Sequence, residues 1–483
     1  MTQKSINTPY FPPVVAVLGH VDHGKTTLLD AIRKTSIAER ELGGITQRIG
    51  ASSVEIISDG TKRKITFIDT PGHEAFAKMR SRGAQVADIG LLVVSAADGV
   101  MPQTRESIAV LKDAGIPYIV VLTKSDLPTA NPQKVKQQLL GENVLLEEFG
   151  GDIPAISVSA KTNYNIKELL DLVLLVYELH YPNLQDAASA PLTAVVIESR
   201  LDTKAGPKAT VVIKKGTIKL RDELYTEHGL FRVRSILTDR GELLQEASVG
   251  DAVEILGFTS VPSVGSLITK TPQSLVEVSP KVPLKKEATL PMQKREGELQ
   301  IILVADTQGS LEAITNALPE KVRLVYQKTG EITEADVLMA KSTGALIIGF
   351  NTRIRHDVAK LARTEKVLMK NYSIIYELLD EISEVLAGKE LEMMEQIFGT
   401  AQILAKFPYE KTYALGIRVL DGRVAKGDKA RLVRGEEIIG ETQITSLRVG
   451  KNPVSKVEKG HEAGILISPL LDFQVGDVVI CHE

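Results

Sequence analysis

One short segment limits the possible folds of this chain more than any other. Residues 19–26 read GHVDHGKT and match the phosphate-binding pattern G-x-x-x-x-G-K-[ST] at every fixed position. The apolar run 14–18 before it predicts a buried strand, and residues 27–32 after it predict the start of a helix. A glycine-rich loop between strand and helix points consecutive N–H groups at phosphate oxygens. The segment therefore predicts a nucleoside-triphosphate site on an α/β sheet.

Two side chains of this loop have roles set by their chemistry. The Lys25 ammonium is expected to bridge the β- and γ-phosphates, and the Thr26 hydroxyl is expected to bind Mg²⁺. The residues predicted to contact the nucleotide here are Gly19, His20, Val21, Asp22, His23, Gly24, Lys25, Thr26 and Thr27.

A second motif, DTPGH at residues 69–73, follows the apolar run 65–68. Asp69 at a strand end is placed to hold Mg²⁺ through a water molecule. Gly72 lets a backbone N–H approach the γ-phosphate, and Thr70 and Pro71 complete the turn. His73 is interpreted as the catalytic residue that orients the attacking water, although a lone histidine is more often structural.

A third motif, TKSD at residues 123–126, ends the apolar run 119–122. The Asp126 carboxylate can accept hydrogen bonds from the ring N–H and the exocyclic amine of guanine, a pair that adenine does not present. The Lys124 stem would lie along the base. The residues predicted at the guanine end are Thr123, Lys124, Ser125, Asp126, Ser159, Ala160 and Lys161.

The glycine-rich stretch 41–48, ELGGITQR, lies between the first helix and Asp69. We expect it to be mobile, with Thr46 as an Mg²⁺ ligand only while the γ-phosphate is present. Without the neighbouring motifs it would be interpreted as an ordinary loop.

Composition narrows the class of protein. The net charge is −3 and there is no tryptophan among 483 residues, which argues against a globally basic nucleic-acid binder and against stacking on single-stranded bases. Cys481 is the only cysteine, which excludes an internal disulfide and fits a reducing compartment. No apolar run is long enough to span a membrane, so we expect a cytoplasmic protein with no membrane partner. We also expect the protein to be a monomer.

The pattern along the chain predicts a multidomain fold. We expect an α/β P-loop GTPase domain, two small antiparallel β-barrels, and an α/β domain between the barrels. A weak echo of residues 216–222 at 422–428 supports related barrels, although chance similarity of turns is the alternative. Linkers are expected at 182–191 and 278–297. The predicted domains are a GTP-binding domain at 1–182, a β-barrel at 190–276, an α/β domain at 298–370 and a C-terminal β-barrel at 398–483. A connecting helix region is expected at 371–397. Its amphipathic helix over 373–386 is either a rigid strut between domains or a packed terminal helix.

These motifs give a family resemblance over nearly the full chain. GHVDHGKT, GGITQ (43–47), DTPGHEAF (69–76) and DGVMPQT (98–104) resemble the G domain of bacterial-type translation initiation factor two, and ADTQGS (305–310) and IIGFN (347–351) resemble its third domain. The resemblance implies a ribosome-activated GTPase that binds GTP, GDP and Mg²⁺, stabilises initiator tRNA on the small ribosomal subunit and promotes subunit joining. It also implies that Val21 and Ile45 gate His73.

This sequence departs from the family pattern at several positions. Thr123 stands where the family usually has Asn, and we expect guanine specificity to survive; Arg48 stands where it usually has His. Most members carry a long N-terminal extension. Here about a dozen residues precede the first strand, so we expect the function of that extension to be absent or supplied elsewhere.

In the last domain, the family's loop patterned Arg-aromatic-Lys-Asp-Asp and its Glu-Cys-Gly segment read VGKNP (449–453) and EAG (462–464). Residues 404–460 still carry 12 basic against 7 acidic side chains, which favours contact with a tRNA backbone over a merely solvated barrel. The expected tRNA contacts are Arg448, Lys451, Glu462 and Gly464. We hypothesise that selection for a formylated methionyl end is weakened or uses different contacts.

Three functions remain open at this stage. The favoured one is a GTP-driven initiation switch. The alternatives are a GTP-binding RNA or ribosome scaffold with little hydrolysis, against which the presence of His73 and Thr46 argues, and a related elongation-type translational GTPase, against which the third-domain segments argue.

Overall fold

The computed structural model describes residues 11–33, 46–58, 60–181, 190–272, 298–386, 397–409, 412–434, 437–450, 452–469, 471 and 473–482. Most of the predicted linker 182–191 and all of the predicted linker 278–297 lie outside these residues. Ile45 and Lys451, for which the sequence also gave predictions, lie outside them as well. The chain forms two compact units, residues 1–390 and 391–483.

The first unit begins with a six-stranded sheet. Its strands are β1 (Val14–Gly19), β2 (Gly50–Ser58), β3 (Thr61–Asp69), β4 (Ile89–Ser95), β5 (Tyr118–Thr123) and β6 (Ala155–Ser157). Its helices are α1 (Lys25–Arg33), α2 (Ala77–Val86), α3 (Pro102–Ala114), α4 (Pro132–Gly141) and α5 (Ile166–His180), with short 3₁₀ turns at Glu74–Phe76 and Glu147–Phe149. The strand order is β2-β3-β1-β4-β5-β6.

Burial explains why the central strands read as continuous apolar runs. Every residue of β1, β4 and β5 is buried, because helices cover both faces of the sheet. The sequence predicts five strands here from runs at 14–18, 65–69, 89–95, 118–123 and 155–159. All five are confirmed as β1, β3, β4, β5 and β6, although β6 is shorter than predicted. The pattern did not predict β2, which pairs antiparallel to β3 at the edge, because its alternate residues are polar or exposed.

An antiparallel region follows the first sheet. Its strands are β7 (Thr193–Asp202), β8 (Gly206–Lys215), β9 (Thr217–Lys219), β10 (Glu223–Thr226), β11 (Gly229–Arg232), β12 (Ser235–Leu237), β13 (Leu243–Leu244), β14 (Glu246–Ser248), β15 (Ala252–Leu256) and β16 (Leu267–Thr269). Eight of them form one sheet, and β9 pairs with β14. Their apolar side chains share one core.

A second α/β region completes the described part of this unit. Its strands β17 (Leu299–Ala305), β18 (Val322–Thr329), β19 (Leu346–Phe350) and β20 (Met369–Tyr372) form a parallel sheet in the order β18-β17-β19-β20. Its helices are α6 (Gln308–Ala317), α7 (Glu334–Thr343), α8 (His356–Thr364) and α9 (Ile375–Leu386). The helix predicted over 373–386 is confirmed as α9, which begins two residues later.

The second unit is a β-barrel. Its strands are β21 (Ile397–Tyr409), β22 (Thr412–Ala425), β23 (Lys429–Arg434), β24 (Glu437–Val449), β25 (Asn452–Pro453), β26 (Lys456–Glu458), β27 (Glu462–Ser468) and β28 (Val478–His482). The order β21-β28-β23-β24-β27-β22 closes because β21 also pairs with β22. The expected multidomain class is confirmed. None of the helices described above is long and apolar enough to span a bilayer.

Candidate nucleotide site

A cleft of about 370 Å³ lies beyond the carboxyl ends of β1, β3 and β5, where an open α/β sheet usually binds ligands. The residues that line it, all but Leu127 among the predicted site residues, are Val21, Asp22, Gly24, Lys25, Thr26, Thr27, Thr46, Gly72, His73, Thr123, Lys124, Asp126, Leu127, Ala160 and Lys161. The predicted site residues that do not line it are Gly19, His20, His23, Asp69, Thr70, Pro71, Ser125 and Ser159.

The phosphate loop is held in a shape suited to an anion. Its Lys25 ammonium donates hydrogen bonds to the carbonyl oxygens of Gly19 at 2.9 Å and His20 at 2.7 Å. Burial lowers the pKa of Lys25, and the Asp69 carboxylate opposes that shift. Asp22 and Gly24 have φ values of +63° and +82°, which turn the backbone around the cleft. Among the described residues no carboxylate forms an ion pair with Lys25, and a bound phosphate would provide one.

Thr123 ties the guanine end of the cleft to the phosphate loop. Its hydroxyl donates to the carbonyl oxygen of His23 at 2.6 Å, and the side chain is buried. Burial lowers the pKa of His23 to about 4, so the His23 ring is neutral and packs under the loop. The departure from the family's Asn therefore still provides a hydrogen bond between β5 and the phosphate loop.

Two of the three residues predicted to hold Mg²⁺, Thr26 and Thr46, meet in the lining of the cleft. The Thr26 and Thr46 hydroxyl oxygens lie 2.5 Å apart, and Asp69 is buried at the end of β3. Across the described ranges no three His, Cys, Asp or Glu side chains cluster as a metal site. Two hydroxyls, one nearby carboxylate and the phosphates of a nucleotide are the kind of oxygen set that Mg²⁺ takes. The residues present thus fit this cation.

His73 is fixed in one tautomer. Its Nδ1 accepts a hydrogen bond from the Ala75 N–H at 2.9 Å, so Nε2 carries the proton of the neutral ring. Burial, and then the Arg80 guanidinium, lower the pKa of His73 to about 4. Its Nε2 is buried and has no hydrogen-bond partner among the described residues. The ring can therefore donate to a water or a phosphate oxygen, but it is not set up to take a proton at Nε2.

The guanine end presents an accessible carboxylate. Asp126 is exposed, and one of its oxygens accepts a hydrogen bond from the Ser159 hydroxyl at 2.8 Å. This bond lowers the pKa of Asp126 and leaves the carboxylate oriented with further acceptor capacity. The Lys124 ammonium donates to Asp98 at 3.1 Å, which holds its stem along the cleft wall.

The second α/β region also reaches this site, which sequence reasoning missed. The Gln47 side-chain amide donates to the Ser373 carbonyl oxygen at 2.8 Å and accepts from the Ile375 N–H at 3.1 Å. Arg48 forms an ion pair with Asp306. The Tyr376 ring lies 3.8 Å from the His73 ring, centroid to centroid. These contacts join residues about 300 positions apart, and no local pattern marks them.

The second unit has a cavity of its own, of about 450 Å³. Three of the four predicted tRNA-contact residues, Arg448, Glu462 and Gly464, line it together with apolar side chains such as Leu404 and Phe407. Glu462 is paired with Arg418 at 2.6 Å.

Comparison with known proteins identifies the domains. Residues 13–178 match the family model of the elongation factor Tu GTP binding domain, residues 191–271 match elongation factor G domain 2, and residues 279–383 match translation-initiation factor 2. The fold and the site thus define the translational GTPase class of P-loop proteins.

Curated relatives narrow this class further. The chain is 42% identical to translation initiation factor IF-2 of Dehalococcoides mccartyi, over 99% of this chain and 83% of that protein. It is 41% identical to IF-2 of Aquifex aeolicus and 42% identical to that of Carboxydothermus hydrogenoformans, over 98% and 97% of this chain. The chain belongs to the translation initiation factor IF-2 family. It spans 61% and 59% of the length of the latter two relatives.

Proposed function

We propose that this protein binds GTP with Mg²⁺, hydrolyses the GTP when stimulated by the ribosome, and acts as a switch in translation initiation. One observation carries the proposal. The phosphate loop, Thr46, the turn at Gly72 and His73, and Asp126 all line a single cleft, although they come from four separate parts of the chain. Each group is of the type that one part of a guanosine triphosphate requires.

In this proposal the phosphates lie in the loop 19–26, where backbone N–H groups and the α1 N-terminus supply positive potential. The Lys25 ammonium exchanges its carbonyl partners for phosphate oxygens. Thr26, Thr46 and Asp69 hold Mg²⁺, which when bound neutralises charge on the phosphates. Because Thr46 belongs to the segment that follows α1, its position responds to the presence of the γ-phosphate.

His73 positions the attacking water. Its neutral ring donates from Nε2, so it orients a water or stabilises a phosphate oxygen rather than removing a proton. Asp126 selects guanine, because its oriented carboxylate can accept from the ring N–H and the exocyclic amine of guanine, and adenine presents no such pair of donors.

We further propose that the second unit contacts the aminoacyl end of initiator tRNA through Arg448, Glu462 and Gly464 of its cavity, and through Lys451, which lies outside the described residues. Support comes from the position of three of these residues around one partly apolar cavity. Arg448 is suited to a phosphate or carbonyl oxygen, and the apolar wall is suited to a methionyl side chain.

The proposal is tested by GTP hydrolysis with and without purified ribosomal subunits, on the wild type and on His73→Ala. We expect the variant to lose at least about 100-fold of the stimulated rate, because it lacks the group that orients water, and to keep GTP affinity. A wild type that binds GTP without stimulated turnover would instead favour the scaffold alternative. Stimulation only by elongating ribosomes would favour an elongation-type factor.

The tRNA proposal has its own experiment. Protection of initiator aminoacyl-tRNA against hydrolysis is measured for formylated and unformylated forms, with wild type and Arg448→Gln. We expect protection with little preference for the formyl group, and weaker protection by the variant. A strong preference for the formylated form would contradict the hypothesis of weakened selection.

A further inference from the structure

Arg80 on α2 is a fully buried cation next to the proposed catalytic turn. Its side chain is 1% exposed, and it is the largest fully buried side chain of the described residues. A buried charge is costly unless it is paired and hydrogen-bonded. The groups that bind the Arg80 guanidinium must therefore offset the cost of burying its charge.

The guanidinium divides its hydrogen bonds between two parts of the domain. Its Nη1 donates to three successive carbonyl oxygens, those of Pro71 at 3.3 Å, Gly72 at 2.9 Å and His73. Its Nη2 donates to the Glu106 carboxylate on α3 at 2.6 Å, and Glu106 is 44% exposed. One planar group thus ties the whole turn to a helix outside it.

This arrangement determines where the N–H groups of the turn point. The C=O and N–H of a trans peptide point in opposite directions. Because the Pro71 and Gly72 carbonyls face Arg80, the N–H groups of Gly72 and His73 face away from it. The opposite side is the phosphate loop, since a Cβ on Gly72 would lie 2.6 Å from the Lys25 ammonium and 2.8 Å from the Val21 nitrogen.

We propose that Arg80 is a positioning residue that aims the Gly72 N–H at the γ-phosphate and so sets the preference for GTP over GDP. This inference rests on the proposed function. A guanidinium suits the task because its fork reaches the three carbonyls and Glu106 together, whereas a lysine ammonium is a single point of attachment. The same cation favours the neutral form of His73, since it opposes a second positive charge beside it.

The test compares Arg80→Met and Arg80→Lys with Glu106→Gln as the matched control. Glu106→Gln removes the outer charge of the pair but leaves the three carbonyl contacts of Arg80 in place. Affinities for GDP and for a non-hydrolysable GTP analogue are measured on the full chain with fluorescent nucleotides, and thermal unfolding reports on folding.

We expect Arg80→Met to lower the ratio of GTP-analogue to GDP affinity about tenfold, as loss of one hydrogen bond to a charged group would, with GDP affinity nearly unchanged. Arg80→Lys should give an affinity ratio between those of Arg80→Met and the wild type, and Glu106→Gln should keep the wild-type ratio. If Arg80→Met does not fold, Arg80→Lys carries the test.

An unchanged ratio in a folded Arg80 variant, or an equal loss of both nucleotides, would overturn the inference and leave Arg80 as a structural residue only. A wild type that does not bind the GTP analogue would instead overturn the proposed function.

Discussion

At the scale of single residues, the site depends on a few buried polar groups whose partners are fixed by geometry. Thr123 is an example, because its hydroxyl connects the phosphate loop to β5 at a position where the family usually has Asn. Arg48 is itself exposed, but it pairs with the mostly buried Asp306, which gives this departure from the family pattern a partner in the second α/β region. Neither role is visible from the residue type alone.

Replacing Thr123 by Val should weaken nucleotide binding without changing its selectivity. The substitution keeps the shape but leaves the buried His23 carbonyl without its donor, which costs about 1–1.5 kcal/mol. We expect GDP and GTP affinities to fall about tenfold together, as measured with fluorescent nucleotides. Thr123→Ser keeps the hydroxyl and should behave as the wild type. A change in the preference for guanine over adenine would contradict this account.

At the scale of elements, α9 connects the second α/β region to the nucleotide-binding part of the same unit, and β7 connects the antiparallel region to the second α/β region. The first turn of α9 brings Tyr376 against His73, and its Ile375 N–H donates to the Gln47 side chain. Gln47 in turn donates to the carbonyl oxygen of Ser373, two residues before α9. Strand β7 places Glu198 against the N-terminus of α6, where it accepts from the Gly309 N–H at 3.1 Å.

Removing the Tyr376 ring should raise hydrolysis by the free protein. The ring packs at a tilt of 44° against the His73 ring, and we expect this contact to restrict how His73 moves at the cleft wall. We expect Tyr376→Ala to increase ribosome-independent turnover about threefold, which corresponds to less than 1 kcal/mol of barrier. Tyr376→Phe keeps the ring contact and should match the wild type. Equal basal rates in both variants would argue against a restraining role.

Glu198 should make stability depend on pH. Burial raises its pKa to about 7 from an ordinary 4.5, so the folded state holds its proton over a window in which the unfolded state has lost it. Stability from this group is therefore present below about pH 4.5 and lost as the pH rises to about 7. Between pH 5 and pH 8, the free energy of unfolding of Glu198→Gln should rise by on the order of 2 kcal/mol relative to that of the wild type. Chemical unfolding at the two pH values measures this difference.

The matched control is Glu223→Gln on β10, an exposed glutamate of the same antiparallel region. It should show the pH dependence of the wild type. If Glu198→Gln also keeps that dependence, then Glu198 does not titrate in this range.

At the scale of the whole molecule, the chain is built from two units with separate cores. The barrel of the second unit closes through the β21–β22 pairing and has its own apolar core. Because closure removes free strand edges, this unit does not need another sheet to complete it.

A fragment of residues 391–483 should therefore fold by itself. We expect a β-type circular dichroism spectrum and a single cooperative thermal transition, since its core and all its strand pairings are internal. The full chain should show a transition at the same temperature. A fragment that is unfolded at 25 °C would mean that the first unit supplies stabilising contacts.

The sequence by itself determined the parts of this protein whose chemistry is local. The phosphate loop, the DTPGH turn and the strands β1, β4 and β5 could be predicted because a loop that binds phosphate needs fixed residues at fixed spacing, and a strand buried on both faces reads as an apolar run. The edge strand β2 escaped prediction because exposure on one side lets polar residues interrupt the pattern.

Only the tertiary structure decided what surrounds that local chemistry. In the sequence, Arg80 is an ordinary charged residue of a helix, but the fold places its guanidinium against three carbonyl oxygens. Tyr376 is likewise an ordinary aromatic residue of an amphipathic helix, but the fold places its ring against His73. The physical reason is distance along the chain. A contact such as that between Gln47 and Ser373 depends on how whole regions pack, which no pattern of neighbouring residues encodes.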